Sequence, residues 1–176
     1  GKFVHNTSFD FSTIKKVYEN TNKPLDIHFM VKEPYEYIEE YKTLNPIYIT
    51  IHYEIDNLEK YINQIKENNI KVGVSLKPNT NIEKIFPLLK DIDLVLIMSV
   101  EPGYGGQKFI ESSLEKVKKL KEKIKKDNLN TIIEIDGGIN NVNAKKCIEN
   151  GVDILVSGNF ITNSDNYEEK IKQLRS

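Results

Sequence analysis

Short apolar runs rich in β-branched residues alternate with amphipathic stretches along the whole chain. Leu25–Met30, Ile47–His52, Val72–Leu76, Asp93–Ser99, Thr131–Asp136 and Ile154–Val156 have the length and composition of buried strands. The run from 93 to 99 is almost continuously apolar, as expected of a central parallel strand covered on both faces. Between the strands, Phe11–Asn20 reads as a short helix capped by Asp10 or Ser12. Pro34–Leu44 reads as a second helix with Pro34 in its first turn. Leu58, Tyr61, Ile62 and Ile65 repeat at helical spacing, as do Ile82, Ile85, Leu88 and Leu89. Leu114, Val117, Leu120 and Ile124 line one face of a Lys-rich helix whose charges predict a solvated outer face. Val142–Glu149 is helical with Gly151 as its stop, and Tyr167–Leu174 closes the chain.

Strands that alternate with helices predict a parallel sheet with crossover helices. Two architectures compete, an open doubly wound sheet and a closed barrel of about 250 residues. With 176 residues the chain is short for a complete eight-stranded barrel and suits a single domain. The organising stretch is Thr131–Asn140, a β-branched strand that ends in Asp136-Gly137-Gly138. Such a strand delivers the Asp136 carboxylate to the carboxyl edge of the sheet, where ligands sit in both architectures. Two glycines then permit a sharp turn close to a ligand; an ordinary Asp-initiated turn is the plainer reading.

The formal net charge of −1, with Lys and Glu interleaved, leaves no footprint for nucleic acid or a membrane surface. A single cysteine, Cys147, excludes an intrachain disulfide and accords with a reducing, cytoplasmic setting. In its helix it reads as a packing residue. No run is long and apolar enough to span a bilayer. The chain opens on Gly1 without an initiating Met, as expected of a cleaved tag, a processed terminus or a fragment.

Candidate chemistry gathers in three late glycine loops: Gly103-Tyr104-Gly105-Gly106, Gly137-Gly138 and Ser157-Gly158-Asn159. Backbone N–H groups exposed by such loops suit a phosphate, although the first loop lacks the spacing of the Walker and dinucleotide fingerprints. His28 faces inward with Asp26 and Met30 if Ile27 and Phe29 face the helices. An inward imidazole is either a core histidine or a metal ligand. With Asp136 it makes half a metal site, since a catalytic centre takes three or four protein ligands. His52 and Glu54, a second His-x-Glu, read as structural or supporting residues. His5 lies in a loop. Met30 and Met98 end two strands, as core residues or as a soft apolar lining above a reacting carbon.

Lys2–Asn6, Pro24–Met30, Val72–Thr80, Met98–Phe109, Asp136–Ile139 and Ser157-Gly158 together resemble the ribulose-phosphate 3-epimerase family, in the family's order. Pro-Gly-Tyr-Gly-Gly-Gln-x-Phe and Asp-Gly-Gly-Ile are the most specific of these motifs. The resemblance implies a TIM barrel and proton transfer at carbon 3 between D-ribulose 5-phosphate and D-xylulose 5-phosphate in the pentose phosphate pathway. It implies that Asp136 is one acid/base and a metal ligand, and that His28 is a second ligand of one divalent ion (Zn, Fe, Mn or Co). Gly103, Tyr104, Gly105, Gly106, Gly137, Gly138, Gly158 and Asn159 would hold the phosphate, with Met30 and Met98 beside the reacting carbons.

The same resemblance implies what this chain lacks. In the family, two strands precede the segment matching residues 1–3, and the second ends His-x-Asp-x-Met-Asp, supplying another acid and further metal ligands. Residues 1–176 are therefore expected to be one incomplete barrel domain holding strands three to eight, with weak or no activity alone and exposed edges that favour self-association. The alternatives are a non-catalytic sugar-phosphate-binding paralogue, an epimerase of a related ketose such as allulose 6-phosphate, and an aldolase- or decarboxylase-type barrel.

Overall fold

The computed structural model describes residues 3–175; Gly1, Lys2 and Ser176, and with them the reading of the opening residue, lie outside that range. Six parallel strands follow one another in chain order: β1 (Asp26–Phe29), β2 (Tyr48–His52), β3 (Lys71–Leu76), β4 (Leu94–Met98), β5 (Ile132–Asp136) and β6 (Ile154–Val156). Every neighbouring pair is parallel and in consecutive order, so the doubly wound alternative, which needs a reversal of strand order, is excluded among the described residues. The sheet curls as a part-barrel whose first and last strands each pair on one side only among these residues.

Helices cover the outside of the curl: α1 (Phe11–Glu19), α2 (Tyr35–Tyr41), α3 (Leu58–Glu67), α4 (Ser113–Lys126), α5 (Ala144–Glu149), α6 (Asn159–Thr162) and α7 (Tyr167–Leu174). Asp10, not Ser12, caps α1, its carboxylate accepting the Thr13 N–H at 2.8 Å. Three expected helices differ. Pro34 precedes α2, which tightens into a 3-10 turn at Lys42–Leu44. Ile82–Leu88 is a 3-10 helix containing Pro87, which has no N–H for an α-helical ladder. α5 starts at Ala144, two residues later than expected, because Asn140 and Asn143 build the turn before it.

Side-chain alternation gives the sheet two different faces. Ile49, Ile51, Val72, Val74, Val95, Ile97, Ile133 and Ile135 point outward into one core with Ile38, Ile65, Ile85, Val117 and Leu120 of the helical layer. The inner face carries a smaller apolar group, Tyr48, Leu94, Leu96 and Met98, with Met30, Ile132 and Ile154. Thr50, His52, Ser75 and Glu134 interrupt it as buried polar residues. Strand register is pinned from the helix-entry side. Asp93 accepts the Val72 N–H at 2.8 Å and Asp153 accepts the Ile133 N–H at 2.9 Å, so an aspartate ahead of one strand holds its predecessor.

The inner wall has no spare room where β2 and β3 meet. A Cβ added to Gly73 would stand 2.1 Å from Thr50 Oγ1, 2.9 Å from Thr50 Cβ and 3.2 Å from Leu94 Cδ2. Gly73→Ala is expected to cost about 1–3 kcal/mol by overpacking, measured by urea unfolding, and Thr50→Ala in the same chain is expected to recover part of that loss.

Candidate functional site

The end of β5 is built by close packing. Gly137 and Gly138 adopt φ of 126° and 65°, a region other residues rarely enter. A Cβ on Gly138 would stand 2.6 Å from the Phe109 nitrogen and 2.7 Å from the Gln107 carbonyl oxygen, and one on Gly137 would meet Val100 at 2.6 Å. The turn is thus pressed against the exit of the loop after β4. The Ser99 hydroxyl donates to the carbonyls of Asp136 (3.0 Å) and Gly137 (2.7 Å), and its N–H donates to Asp136 O at 2.8 Å. On the far side the Asn143 amide donates to the Gly138 carbonyl at 2.9 Å. The Asp136 side chain therefore starts from a fixed backbone.

The other glycine loops close round it. Gln107 folds the loop after β4 on itself, donating to the carbonyls of Glu101 (2.7 Å) and Tyr104 (2.8 Å). A Cβ on Gly105 would stand 2.5 Å from Asn159 Oδ1, so this loop touches the start of α6. Ser157 donates to the Ile139 carbonyl at 2.9 Å and joins the third loop to the second. A cavity of about 670 Å³ opens between the three loops. Its lining includes every proposed phosphate contact, namely Gly103, Tyr104, Gly105, Gly106, Gly137, Gly138, Gly158 and Asn159, together with Met30, Met98 and Asp136. Nothing lies within 4 Å of where a Gly158 Cβ would be, so the cradle is open there.

His28 is placed differently from the other candidates. It lines an adjoining cavity of about 340 Å³ that shares Asn6, Ser8, Met30 and Gly103 with the larger one. The strands still bring it level with Asp136. The carboxyl groups of Asp26 on β1 and Glu134 on β5 hydrogen-bond across the inside of the curl. Two residues onward along parallel strands, about 6.6 Å, come His28 and Asp136. The His28 Nε2 is buried with no hydrogen-bond partner. Burial, then the neighbouring His52, push its pKa down to about 3 against the opposing Glu54 charge, so the ring is neutral.

Electrostatics on the β5 side run the other way. Burial raises the Asp136 carboxyl to about 6. Burial, the Asp26 charge, their shared hydrogen bond and the Asp136 charge raise Glu134 to about 8. Three carboxyl groups thus crowd the inner face, where burial disfavours their ionising together. Among the described residues no group of three or more His, Cys, Asp or Glu side chains is arranged to hold a metal ion. His28 and Asp136 offer two donors, short of a complete shell.

Sequence reasoning overlooked several members of the site. Asn6 and Ser8 line the cavity from the N-terminal segment, and Asn140 and Asn163 line it from the far loops. Their residue types are common in loops and carry no spacing signal. Ser99 and Asn143 support the turn and fall within recognisable neighbourhoods, directly after β4 and directly before α5. Lys116 departs from the expectation of a uniformly solvated Lys-rich face, since its ammonium donates to the carbonyls of Lys77, Pro78 and Thr80.

Comparison with known proteins places this geometry. Residues 1–162 match the ribulose-phosphate 3 epimerase family. The chain is 39% identical over 180 residues to a ribulose-phosphate 3-epimerase of Bacillus subtilis, covering 99% of this chain and 82% of that protein. It is 38% identical over 177 residues to one of Helicobacter pylori, covering 100% and 82%. Among solved structures it resembles phosphoribosyl anthranilate isomerase from Thermococcus kodakaraensis, with a TM-score of 0.68 at 14% identity, covering 98% of this chain and 84% of that one. It also resembles 3-hexulose-6-phosphate synthase from Salmonella typhimurium, with a TM-score of 0.64 at 19% identity, covering 92% and 75%. These two likenesses concern the fold alone. Among the described residues no helix is long and apolar enough to cross a membrane.

The raised acids carry a stability signature. Folding lifts Asp136 from 3.8 to about 6 and Glu134 from 4.5 to about 8, so the stability they confer is complete at low pH and is lost as pH climbs through those values. Urea unfolding is expected to give a more stable protein at pH 5 than at pH 8, with Glu134→Gln flattening the difference. A wild-type protein that gains stability from pH 5 to pH 8 would contradict the crowded-carboxyl reading.

Proposed function

The chain belongs to the ribulose-phosphate 3-epimerase family, and from that premise we propose that its cavity interconverts D-ribulose 5-phosphate and D-xylulose 5-phosphate by moving the proton at carbon 3. The observation that carries this reading is Asp136, a carboxyl with a pKa raised to about 6 that stands in a glycine-lined cavity. A carboxylate so placed is basic enough to take a proton beside a carbonyl near neutral pH and acidic enough to return one. The backbone N–H groups of the three glycine loops hold the phosphate, and its position sets carbon 3 over the Asp136 carboxyl. Met30 and Met98 give the reacting carbons an apolar wall that accommodates both epimers.

Removing the carbon 3 proton places negative charge on the substrate oxygens of an ene-diolate. His28, neutral and with its Nε2 unpartnered, would meet that charge or a cation that balances it. A divalent ion (Zn, Fe, Mn or Co) bound there would supply charge stabilisation, with His28 and Asp136 as two ligands and other donors from outside the described residues. Inversion also needs an acid on the opposite face of the substrate. Besides Asp136, the only carboxylate among the described cavity residues is that of Glu101, which receives the Asn79 amide at 3.4 Å. We place the second acid on additional N-terminal strands that pair with β1 and β6 and complete a barrel. Without such strands these edges favour association of copies. The setting is cytoplasmic carbohydrate metabolism, in accord with one buried free cysteine.

A coupled assay with ribulose 5-phosphate tests the reading on residues 1–176 and on a longer form carrying two preceding strands. The longer form is expected to turn over, and Asp136→Asn is expected to cost about 10²–10⁴-fold. Full activity of residues 1–176 would overturn the placement of the second acid. Sugar-phosphate binding without turnover by either form would favour the non-catalytic paralogue, and preference for allulose 6-phosphate would move the reaction to a hexulose.

A further inference from the structure

One carboxylate sits behind the site and has no role in the mechanism above. Glu54 lies just past the end of β2. Its Oε2 stands 3.1 Å from Nδ1 of His52, and its Oε1 accepts the Lys77 N–H at 2.9 Å and the Thr80 hydroxyl. Lys116 grips the same Lys77–Thr80 turn from the other side, donating to the carbonyls of Lys77 at 3.1 Å, Thr80 at 2.6 Å and Pro78. Burial pushes the Glu54 carboxyl upward, but the hydrogen bonds from His52, Thr80 and the Lys77 amide outweigh it and hold the group at about 2. It is therefore a carboxylate throughout the working pH range and can only accept. The proton between Glu54 and His52 must sit on Nδ1.

His52 is fully buried, and its ring lies against two others. The His28 ring is 4.8 Å away centroid to centroid, tilted 33°, and the Phe3 ring is 4.5 Å away on another side. The remaining polar neighbour is the Ser75 hydroxyl, 3.4 Å from both ring nitrogens and too distant to fix the ring alone. Among the described residues, the one short polar contact that sets the rotation of His52 is Glu54. The backing of His28 by His52 depends on that rotation, because His28 Nε2 has no hydrogen bond of its own to hold it.

We propose that Glu54 is a positioning residue for the epimerase site: by holding the proton on His52 Nδ1 it fixes the ring that backs His28, and so aims His28 at the reacting oxygens. This rests on the function proposed above. The path from a carboxylate outside the cavity to the imidazole that faces the substrate is Glu54 to His52 to His28, and Lys116 keeps the acceptor end of Glu54 in register by securing the turn that shares it.

Glu54→Gln separates positioning from mere anchoring. Two donors, the Lys77 N–H and the Thr80 hydroxyl, face the Oε1 position, so the amide oxygen takes that place and the turn keeps its bonds. The amide NH₂ then faces His52 and donates, which drives the proton off Nδ1. Ring-nitrogen NMR is expected to find Nδ1 of His52 protonated in the wild type and bare in Glu54→Gln, with displaced His28 ring resonances and a near-wild-type melting temperature. In the form that turns over ribulose 5-phosphate, kcat is expected to fall about 10–100-fold while KM changes by less than about 3-fold. Lys116→Met, which loosens the turn and leaves the Glu54–His52 bond, is expected to lower the melting temperature with His52 Nδ1 still protonated. A wild-type His52 with bare Nδ1, or a Glu54→Gln protein with unchanged His28 resonances, overturns the proposal. So does an unchanged kcat in Glu54→Gln. If no form epimerises, the proposed function fails, and the NMR comparison still decides the positioning.

Discussion

The site depends on a steric constraint: the turn after β5 has no space for side chains. With 2.6 Å between a would-be Gly138 Cβ and the Phe109 nitrogen, the two loops that flank the cavity are in backbone contact. Backbone contact joins the two loops directly beside Asp136. The hydrogen bonds from Ser99 and Asn143 then fix the turn from both sides. One packing event thus builds the glycine-lined turn and fixes the backbone that carries Asp136.

The second controlling feature is the polarity of the inner face. The outer face of the sheet is continuously apolar and anchors the helices, which leaves the inner face free to hold Asp26, Glu134, Asp136, His28 and His52 without endangering the core. Crowding them has a cost in charge solvation, visible as acids pushed up and an imidazole pushed down. The same crowding brings the Asp136 carboxyl into the range where a carboxyl can exchange protons near neutral pH. Glu54 stays ionised nearby by collecting three donors, in contrast to Glu134 and Asp136, which burial pushes up.

Much of this was legible in the chain itself. β-branched runs located all the strands to within about two residues, and the glycine clusters located the loops that line the cavity. Asp136 stood out because a β-branched strand that ends in Asp-Gly-Gly sets a carboxyl beside backbone free to turn tightly. What stayed hidden depends on contacts between distant residues. Lys116 looks like one more solvent-facing lysine, yet its ammonium caps a turn 36–39 residues earlier. Glu54 reaches 23 and 26 residues forward. Glu134 reads as an interruption in an apolar strand until Asp26 is seen across the curl. The 3-10 character of Ile82–Leu88 was foreshadowed by Pro87, and helical periodicity masked it.

The claim that most of this account rests on is that Asp136 exchanges a proton with carbon 3 of a pentulose phosphate. Incubating the active form with ribulose 5-phosphate in deuterated water and locating the label by mass spectrometry and NMR tests it directly. The account predicts deuterium at carbon 3, accumulating in both epimers and essentially absent with Asp136→Asn. Deuterium at carbon 1, or carbon 3 label that persists undiminished in Asp136→Asn, would contradict it.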